Sequence, residues 1–470
     1  MAYAEVMADH FGKLSYEMLP PEVIHQAKIV LLDFMGICIG AGIMPEAHQL
    51  NNMVKAWGDK EEASVLGMGF KTSVRSAAFG NGILSTLLEL QDGLQFRGIH
   101  ISEAVPPAVL ALGEREKVDG KKFIASLVTG YEVAGRLAEA VFPSHLKRGY
   151  MPSGTVGAFG AAAGAAKILD LGSAGIRESM GIMARIVPMS IEYEDNKLGG
   201  FTAKFLHGPQ AAKAGVEAAL LAQAGVTSFP EPFAGSDRLK QGFCYIGCDK
   251  PNMNYLTDGL GKTYSMPKLY FKPFSACRHT HGAIEVAIKA VRENPVVPQD
   301  IESMTIRTYH MAAISTGQNY TNPKSTFISC QFSIPYLVAA SIMDHKLGLE
   351  QLSKEKIANP AVHELAAKVK VVEDPEIEKV FPEKSPSVIE IRTKAGKVFT
   401  ARTDAAKGDP QNPMSEQDFI EKFHSLTSQR MVEKSRQEMV SMVLNLEKLD
   451  DLSKLMKLIF GSISIGSISK

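Results

Sequence analysis

The chain has 470 residues, which at about 100 to 200 residues per domain means two or three packed units and excludes a single small module. Its 51 basic residues balance its 51 acidic ones, and no basic block offers a footprint for a nucleic-acid backbone. With 45% hydrophobic and 22% charged residues the composition is that of an ordinary globular protein with a sizeable core, neither disordered nor membrane-embedded.

The N-terminal stretch MAYAEVMADHFGKL places Glu5 and Asp9 where a secretory leader needs a basic start and an unbroken apolar run, so a cytoplasmic location is expected. The run Thr155 to Leu169 is shorter than the roughly 20 residues that span a bilayer and includes Lys167, so no membrane span is expected. The five cysteines, Cys38, Cys244, Cys248, Cys277 and Cys330, are odd in number and mostly isolated, which fits a reducing compartment rather than a disulfide framework. Cys244 and Cys248 have no further thiolates nearby to complete a structural metal site.

From Pro20 to about residue 265 the apolar residues recur at three- and four-residue spacings. EVIHQAKIVLLDFMGICIG follows Pro20 and Pro21 in the place where proline opens a helix, and Phe123, Leu127, Tyr131, Ala134, Ala138 and Phe142 form a helical stripe. GMGFKTS at 67–73 fails as a phosphate loop because Phe70 separates Gly69 from Lys71. GAFGAAAGAAK at 157–167 lacks the strand and acidic residue of a dinucleotide fingerprint and reads as a close-packed small-residue helix. The predicted fold class is therefore mainly α, with residues 1–265 forming the first part of a large helical domain. Between 266 and 400 strand-like runs such as SMTIRTYH (303–310) alternate with helical ones, and SVIEIRTKAGKVFTART reads as a hairpin turning at Lys394–Lys397, which predicts a smaller α/β domain. Residues 401–470 turn helical again and are expected to return to the large domain, with the low-complexity GSISIGSISK frayed.

Three polar stretches interrupt these apolar surroundings. LELQDGLQFRGIHISEAVPPAVLAL sets Glu89, Asp92, Arg97 and His100 ahead of an apolar helix, whose N-terminal amides and dipole favour a carboxylate; an exposed loop with a capping acid is the plainer alternative. TAKFLHGPQAAKAG sets Lys204 and His207 one turn apart if a helix has already begun there, either to donate to an anion or to sit in water. KLYFKPFSACRHTHGAIEVAIKA packs Lys272, Cys277, Arg278, His279 and His281 into ten residues. Carboxylate binding is the favoured reading over zinc, because no acid lies in the cluster, and over a solvated turn.

Taken together, ELQDG with His100, GYEVAGRLAEA (130–140), RGYMPSGTVGAFGAAAGAAKILDL (148–171), TAKFLHGPQAAKAGVEAALLA (202–222), KPFSACRHTH (272–281) and GDPQNPMSEQDFIEKF (408–423) resemble the MmgE/PrpD family along nearly the whole chain. The resemblance implies a homodimer of subunits, each with a large helical domain built from both chain ends and a small α/β lid. It implies an active site between domain and lid, acting on a small di- or tricarboxylate with no metal and no organic cofactor. Carried over by position, the catalytic candidates are Asp92, His100, Lys204 and Lys272, and the substrate-binding candidates are His207, Arg278, His281, Cys277 and Glu89. The chain departs from the common pattern with Glu89, Gln91, Asp92 and Gly93 in the first motif, Met151 in the third, and Cys277 at a position that is histidine in an animal member.

The chemistry shared by that family's substrates is loss of a proton or of carbon dioxide next to a carboxylate, which calls for a positioned base and cations where negative charge develops. The expected function is a cofactor-independent lyase that dehydrates a 2-methylcitrate-like hydroxy-polycarboxylate. In this reading Asp92 orients or ionises His100, His100 abstracts the proton, and Lys204, Lys272, His281 and Arg278 hold carboxylates. An epimerase or a decarboxylase working through the same enolate-like intermediate, and a non-catalytic carboxylate-binding homologue, are the alternatives.

Overall fold

A computed structural model describes residues 2–191 and 201–462, with side chains described as far as Ile459. Of GSISIGSISK (461–470), for which fraying is expected, Gly461 and Ser462 instead close a helix, and the residues from 463 onward lie outside the described residues. The fold is mainly helical with small sheets, and the chain divides into two compact units. The larger comprises Met1–Glu192, Phe205–Leu269 and Ser415–Lys470, and the smaller Tyr193–Lys204 and Tyr270–Met414.

The longer helices of the larger unit are, in chain order, α1 (Tyr3–Lys13), α2 (Pro21–Ala41), α3 (Pro45–Ala56), α4 (Val74–Leu87), α5 (Val105–Glu116), α6 (Gly120–Val141), α7 (Pro152–Ile168), α8 (Gly172–Ile186) and α9 (His207–Gln223). Their starts follow from local chemistry. Pro21 opens α2, Ser73 caps α4 by accepting from the Ser76 amide, and Asp119 caps α6 by accepting from the Lys122 amide. A short hairpin pairs β1 (Ala63–Val65) with β2 (Phe70–Thr72). The small-residue helix α7 packs between α6 and α9. A side chain at Gly160 would collide with the Gly130 carbonyl of α6, and one at Gly215 of α9 would collide with Ala161, so glycine here sets the distance between helices.

In the smaller unit, α10 (His281–Glu293) precedes β3 (Ile301–Thr308), and α11 (Ile334–Asp344) precedes β4 (Val369–Glu373), β5 (Ser387–Thr393) and β6 (Val398–Thr403). The sheet order is β4-β3-β5-β6, with β3 parallel to β4 and antiparallel to β5. Met304, Ile306, Ile389 and Ile391 meet Ile284, Ala287 and Leu337 in one buried core. The expected hairpin is present, with Gly396 at φ +79° closing its turn. The expected strand at 303–310 runs instead from 301 to 308, because His310 opens a short helix. The sequence sets the return to the large domain at 401. In the structure β6 continues to Thr403 and Asp409 pairs with Arg278, so the larger unit resumes only at Ser415.

The C-terminal helices α12 (Glu416–Thr427), α13 (Glu433–Leu444) and α14 (Ser453–Ser462) complete the larger unit. α12 opens with a capping box between Ser415 and Asp418 and packs against α2. Among the described residues α2, and not the 155–169 run, is by length and composition apolar enough to cross a membrane, but 78% of its most apolar stretch is buried inside the protein. Asp33, in the middle of α2, meets Lys422 of α12 at 2.7 Å, and both side chains are almost fully buried. Lys422 also donates to the Leu90 carbonyl at 3.2 Å.

Removing one partner of a buried pair leaves an uncompensated charge. Lys422→Met should therefore destabilise the protein by about 3–5 kcal/mol, and the double variant Asp33→Leu/Lys422→Met should regain most of that loss. Urea unfolding of the three proteins at pH 7.5 checks this, and equal midpoints for the wild type and Lys422→Met would contradict it.

Candidate active site

Between α4 and α5 the chain carries polar residues through the interior of the larger unit. Glu89, Gln91, Asp92, Ser102 and Glu103 are all buried, and Glu89 adopts φ +51°, the left-handed region few non-glycine residues occupy. Buried polar groups call for partners, and for Asp92 they come from a flanking helix and from the segment itself. Tyr131 of α6 donates to Asp92 Oδ2 at 2.7 Å, and the Ser102 amide donates to Oδ1 at 3.1 Å. Burial pushes the Asp92 carboxyl up to about 6, against the pull of these hydrogen bonds. Burial, then the adjoining carboxylate, push the Tyr131 phenol well up.

His100 is positioned from two sides. Its backbone amide donates to Ser153 Oγ at 2.8 Å, at the start of α7, and its Nδ1 lies 2.7 Å from the Asp92 carbonyl oxygen. A carbonyl only accepts, so Nδ1 carries the hydrogen and the neutral ring keeps its lone pair on Nε2. It is thus the backbone carbonyl of Asp92, and not its carboxylate, that orients the imidazole.

Glu103 is fully buried. It accepts from Gln91 Nε2 at 2.5 Å on Oε1 and lies 2.9 Å from His207 Nε2 on Oε2. Burial pushes its carboxyl up, but the charge and hydrogen bond of His207, aided by His100, outweigh this and hold it below the usual value; Glu89 opposes them. His207 is the first residue of α9, so Lys204 lies in the preceding 3-10 turn rather than on the same helix, and it belongs to the smaller unit.

The other cationic candidates also lie in the smaller unit. Lys204 Nζ sits 4.3 Å from the centroid of the Phe332 ring, and Lys272 is fully buried. His281 opens α10, is fully buried, and turns Nε2 toward the Ala276 carbonyl at 3.1 Å. Cys277 is half-buried, its amide donating to the Gln331 carbonyl at 2.9 Å. Gln331 also donates to Ser275 Oγ at 3.1 Å, which anchors the 272–281 stretch. Arg278, expected on a substrate carboxylate, instead forms a buried ion pair with Asp409 and reaches the carbonyls of Ala406 and Lys407. Arg97 likewise pairs with Glu139 at 2.8 Å and stacks over Phe142. His279 Nδ1 meets the Tyr309 hydroxyl at 2.8 Å, and among the described residues no three His, Cys, Asp or Glu side chains gather as metal ligands.

The structure therefore gathers Glu89, Asp92, His100 and His207 in the larger unit, and holds Lys204, Lys272, Cys277, Arg278 and His281 in the smaller. It adds Tyr131, Ser153 and Glu103, which the sequence does not single out as site residues, and Gln91, which the sequence marks only as a departure from the family pattern. Tyr131 reads as one member of an apolar stripe, Ser153 as part of a small-residue helix start, and Glu103 as an ordinary acid ahead of a helix. Only their long-range partners mark them.

Because the folded value of Asp92, about 6, lies above the ordinary 3.8, the folded state binds the extra proton. The stability this confers is fully present below 3.8 and is lost as pH rises through 6. Relative to Asp92→Asn, the wild type should lose about 2 kcal/mol between roughly pH 4.5 and 7.5, because each tenfold difference in proton affinity between the folded and unfolded states is worth about 1.4 kcal/mol. Urea unfolding of both proteins across that range is the check; a stability difference that does not change with pH would contradict it.

The chain matches the MmgE/PrpD N-terminal domain over residues 5–254 and the MmgE/PrpD C-terminal domain over residues 274–448. Among curated proteins it is 27% identical to the cis-aconitate decarboxylase of Mus musculus, covering 97% of this chain and 93% of that protein. It is 27% identical to the Homo sapiens cis-aconitate decarboxylase (94% and 91% covered) and 24% identical to that of Aspergillus terreus (95% and 94%). With both domains matched in order across its length, the chain belongs to the MmgE/PrpD family.

Proposed function

We propose that the protein is a lyase acting on a small di- or tricarboxylate, and that its reaction is dehydration of a 2-methylcitrate-like hydroxy acid. The observation that carries this reading is the fixed tautomer of His100, which holds a lone pair on Nε2 beside a set of buried acids. An imidazole so held is suited to take a proton from carbon next to a carboxylate. In the proposed sequence His100 Nε2 removes that proton, and the C–H electron pair passes into an enolate-like carboxylate. Collapse of this intermediate forms the C=C bond and breaks the C–O bond, and the departing hydroxyl takes up a proton to leave as water. Lys204, Lys272 and His281 are assigned to the substrate carboxylates, where cations stabilise the charge that develops. Arg278 is left out of that set because Asp409 already occupies its guanidinium.

A second reading, decarboxylation, is favoured by the names of the relatives, which are cis-aconitate decarboxylases. There the C–C bond to a carboxylate breaks, carbon dioxide leaves, and the resulting carbanion is protonated. It uses the same cations and the same kind of intermediate.

Proton NMR in D₂O of the EDTA-treated protein with 2-methylcitrate, citrate, cis-aconitate, citramalate and iminodisuccinate separates these readings. Alkene signals formed from a hydroxy acid are the expected result, and loss of a carboxylate carbon would replace dehydration by decarboxylation. Deuterium exchange without elimination would replace it by epimerisation, and silence across the panel would overturn the substrate class. With the substrate in hand, His100→Asn should lower turnover by about 10² to 10⁴. A variant with full turnover would remove His100 from the reaction.

A further inference from the structure

The larger unit holds two half-buried histidine contacts of opposite kind. His100 faces a backbone carbonyl, whereas His207 faces a carboxylate that is fully enclosed and fixed on its other oxygen by Gln91. Glycine at 208 permits this, since a side chain there would collide with Glu103. A buried carboxylate is costly unless a cation meets it, and a hydrogen bond to a charged group is stronger than a neutral one. The N-terminus of α9, where His207 sits, disfavours a cation only weakly by comparison.

We propose that Glu103 is a positioning residue that holds His207 as an imidazolium, which makes His207 the proton donor of the site and His100 the acceptor. The catalytic half of this inference rests on the lyase reading above; the charge state does not. In the dehydration, His207 keeps its Nε2 hydrogen on Glu103 and gives its Nδ1 proton to the departing hydroxyl. Water leaves and a neutral imidazole remains, to be reprotonated from solvent as His100 releases the proton it took.

Of the charged groups around the pair, His100 supports the ionised Glu103 and Glu89 opposes it. Glu89 and His100 are the ionisable groups acting on Glu103 besides His207 itself. The helices packed against α9 carry charges engaged elsewhere: Arg75 of α4 with Glu217, Glu114 of α5 with Lys71, Lys167 of α7 with the Phe11 carbonyl, and Glu178 of α8 with Ser228.

The test is ¹⁵N NMR of the full-length protein labelled at histidine, with His207→Gln assigning the His207 signals. At pH 7.5 the wild-type ring should be imidazolium, and Glu103→Gln should lower its titration midpoint by about 1–3 pH units. A neutral wild-type ring at that pH, or a midpoint unmoved in Glu103→Gln, would overturn the proposal. If Glu103→Gln does not fold, the wild-type titration alone decides. Once a substrate is identified, the alkaline limb of kcat should move down in Glu103→Gln with KM nearly unchanged. A merely structural Glu103 would reduce the folded yield and leave that limb in place. Should no substrate in the panel react, the lyase reading fails while the NMR arm still decides the charge of His207.

Discussion

The larger unit is organised around one requirement: the segment from Glu89 to Glu103 carries three acids into the interior, and none can stay there without partners. The partners come from four helices. Tyr131 of α6 serves Asp92, Ser153 of α7 receives the His100 amide, His207 of α9 meets Glu103, and Lys422 of α12 reaches the Leu90 carbonyl while holding Asp33 of α2. Those contacts demand close helices, and the glycines and alanines of α7 provide the closeness. The return of the C-terminal segment to the large unit follows from the same requirement, because a lysine from residue 422 is part of what makes the buried segment tolerable.

The way His100 is held bears on how robust such a site is to pH. A carboxylate partner changes its own charge near its titration point, and for Asp92 that point is about 6. A backbone carbonyl has no such transition. By giving the carbonyl of Asp92 to His100 and the carboxylate to Tyr131 and Ser102, the fold separates the orientation of the ring from the ionisation of the acid beside it. One residue thus serves three neighbours through two chemically different groups.

The helical character, the small α/β unit and its hairpin were legible in the sequence because periodicity and turn residues are local signals. The family was legible in the order of its motifs. Glu89, Asp92, His100 and His207 were legible as polar residues in apolar runs, but their partners were not. Nothing local in TAKFLHG says that the chain passes from one unit to the other between Lys204 and Phe205, or that His207 finds an acid more than a hundred residues earlier. Arg278 shows the converse. Its motif suggested a substrate carboxylate, yet the carboxylate it meets is Asp409, in another motif of the same chain, GDPQNP. Two motifs that read as separate features are thus halves of one internal contact.

The same residue type is thereby given three different environments. His100 has Nδ1 against a backbone carbonyl, His207 faces an enclosed carboxylate, and His281 is enclosed with Nε2 on a carbonyl of its own turn. Elimination of water requires an acceptor and a donor within one site, and two free imidazoles of equal basicity divide those tasks poorly. Opposite partners separate them at the cost of burying one more acid. Glu103 brings that cost, and Gln91, which fixes its second oxygen, offsets it. On this argument the unusual Glu89-Leu90-Gln91-Asp92-Gly93 motif, with Gln91 in its middle, is understood as part of the device that tells the two histidines apart.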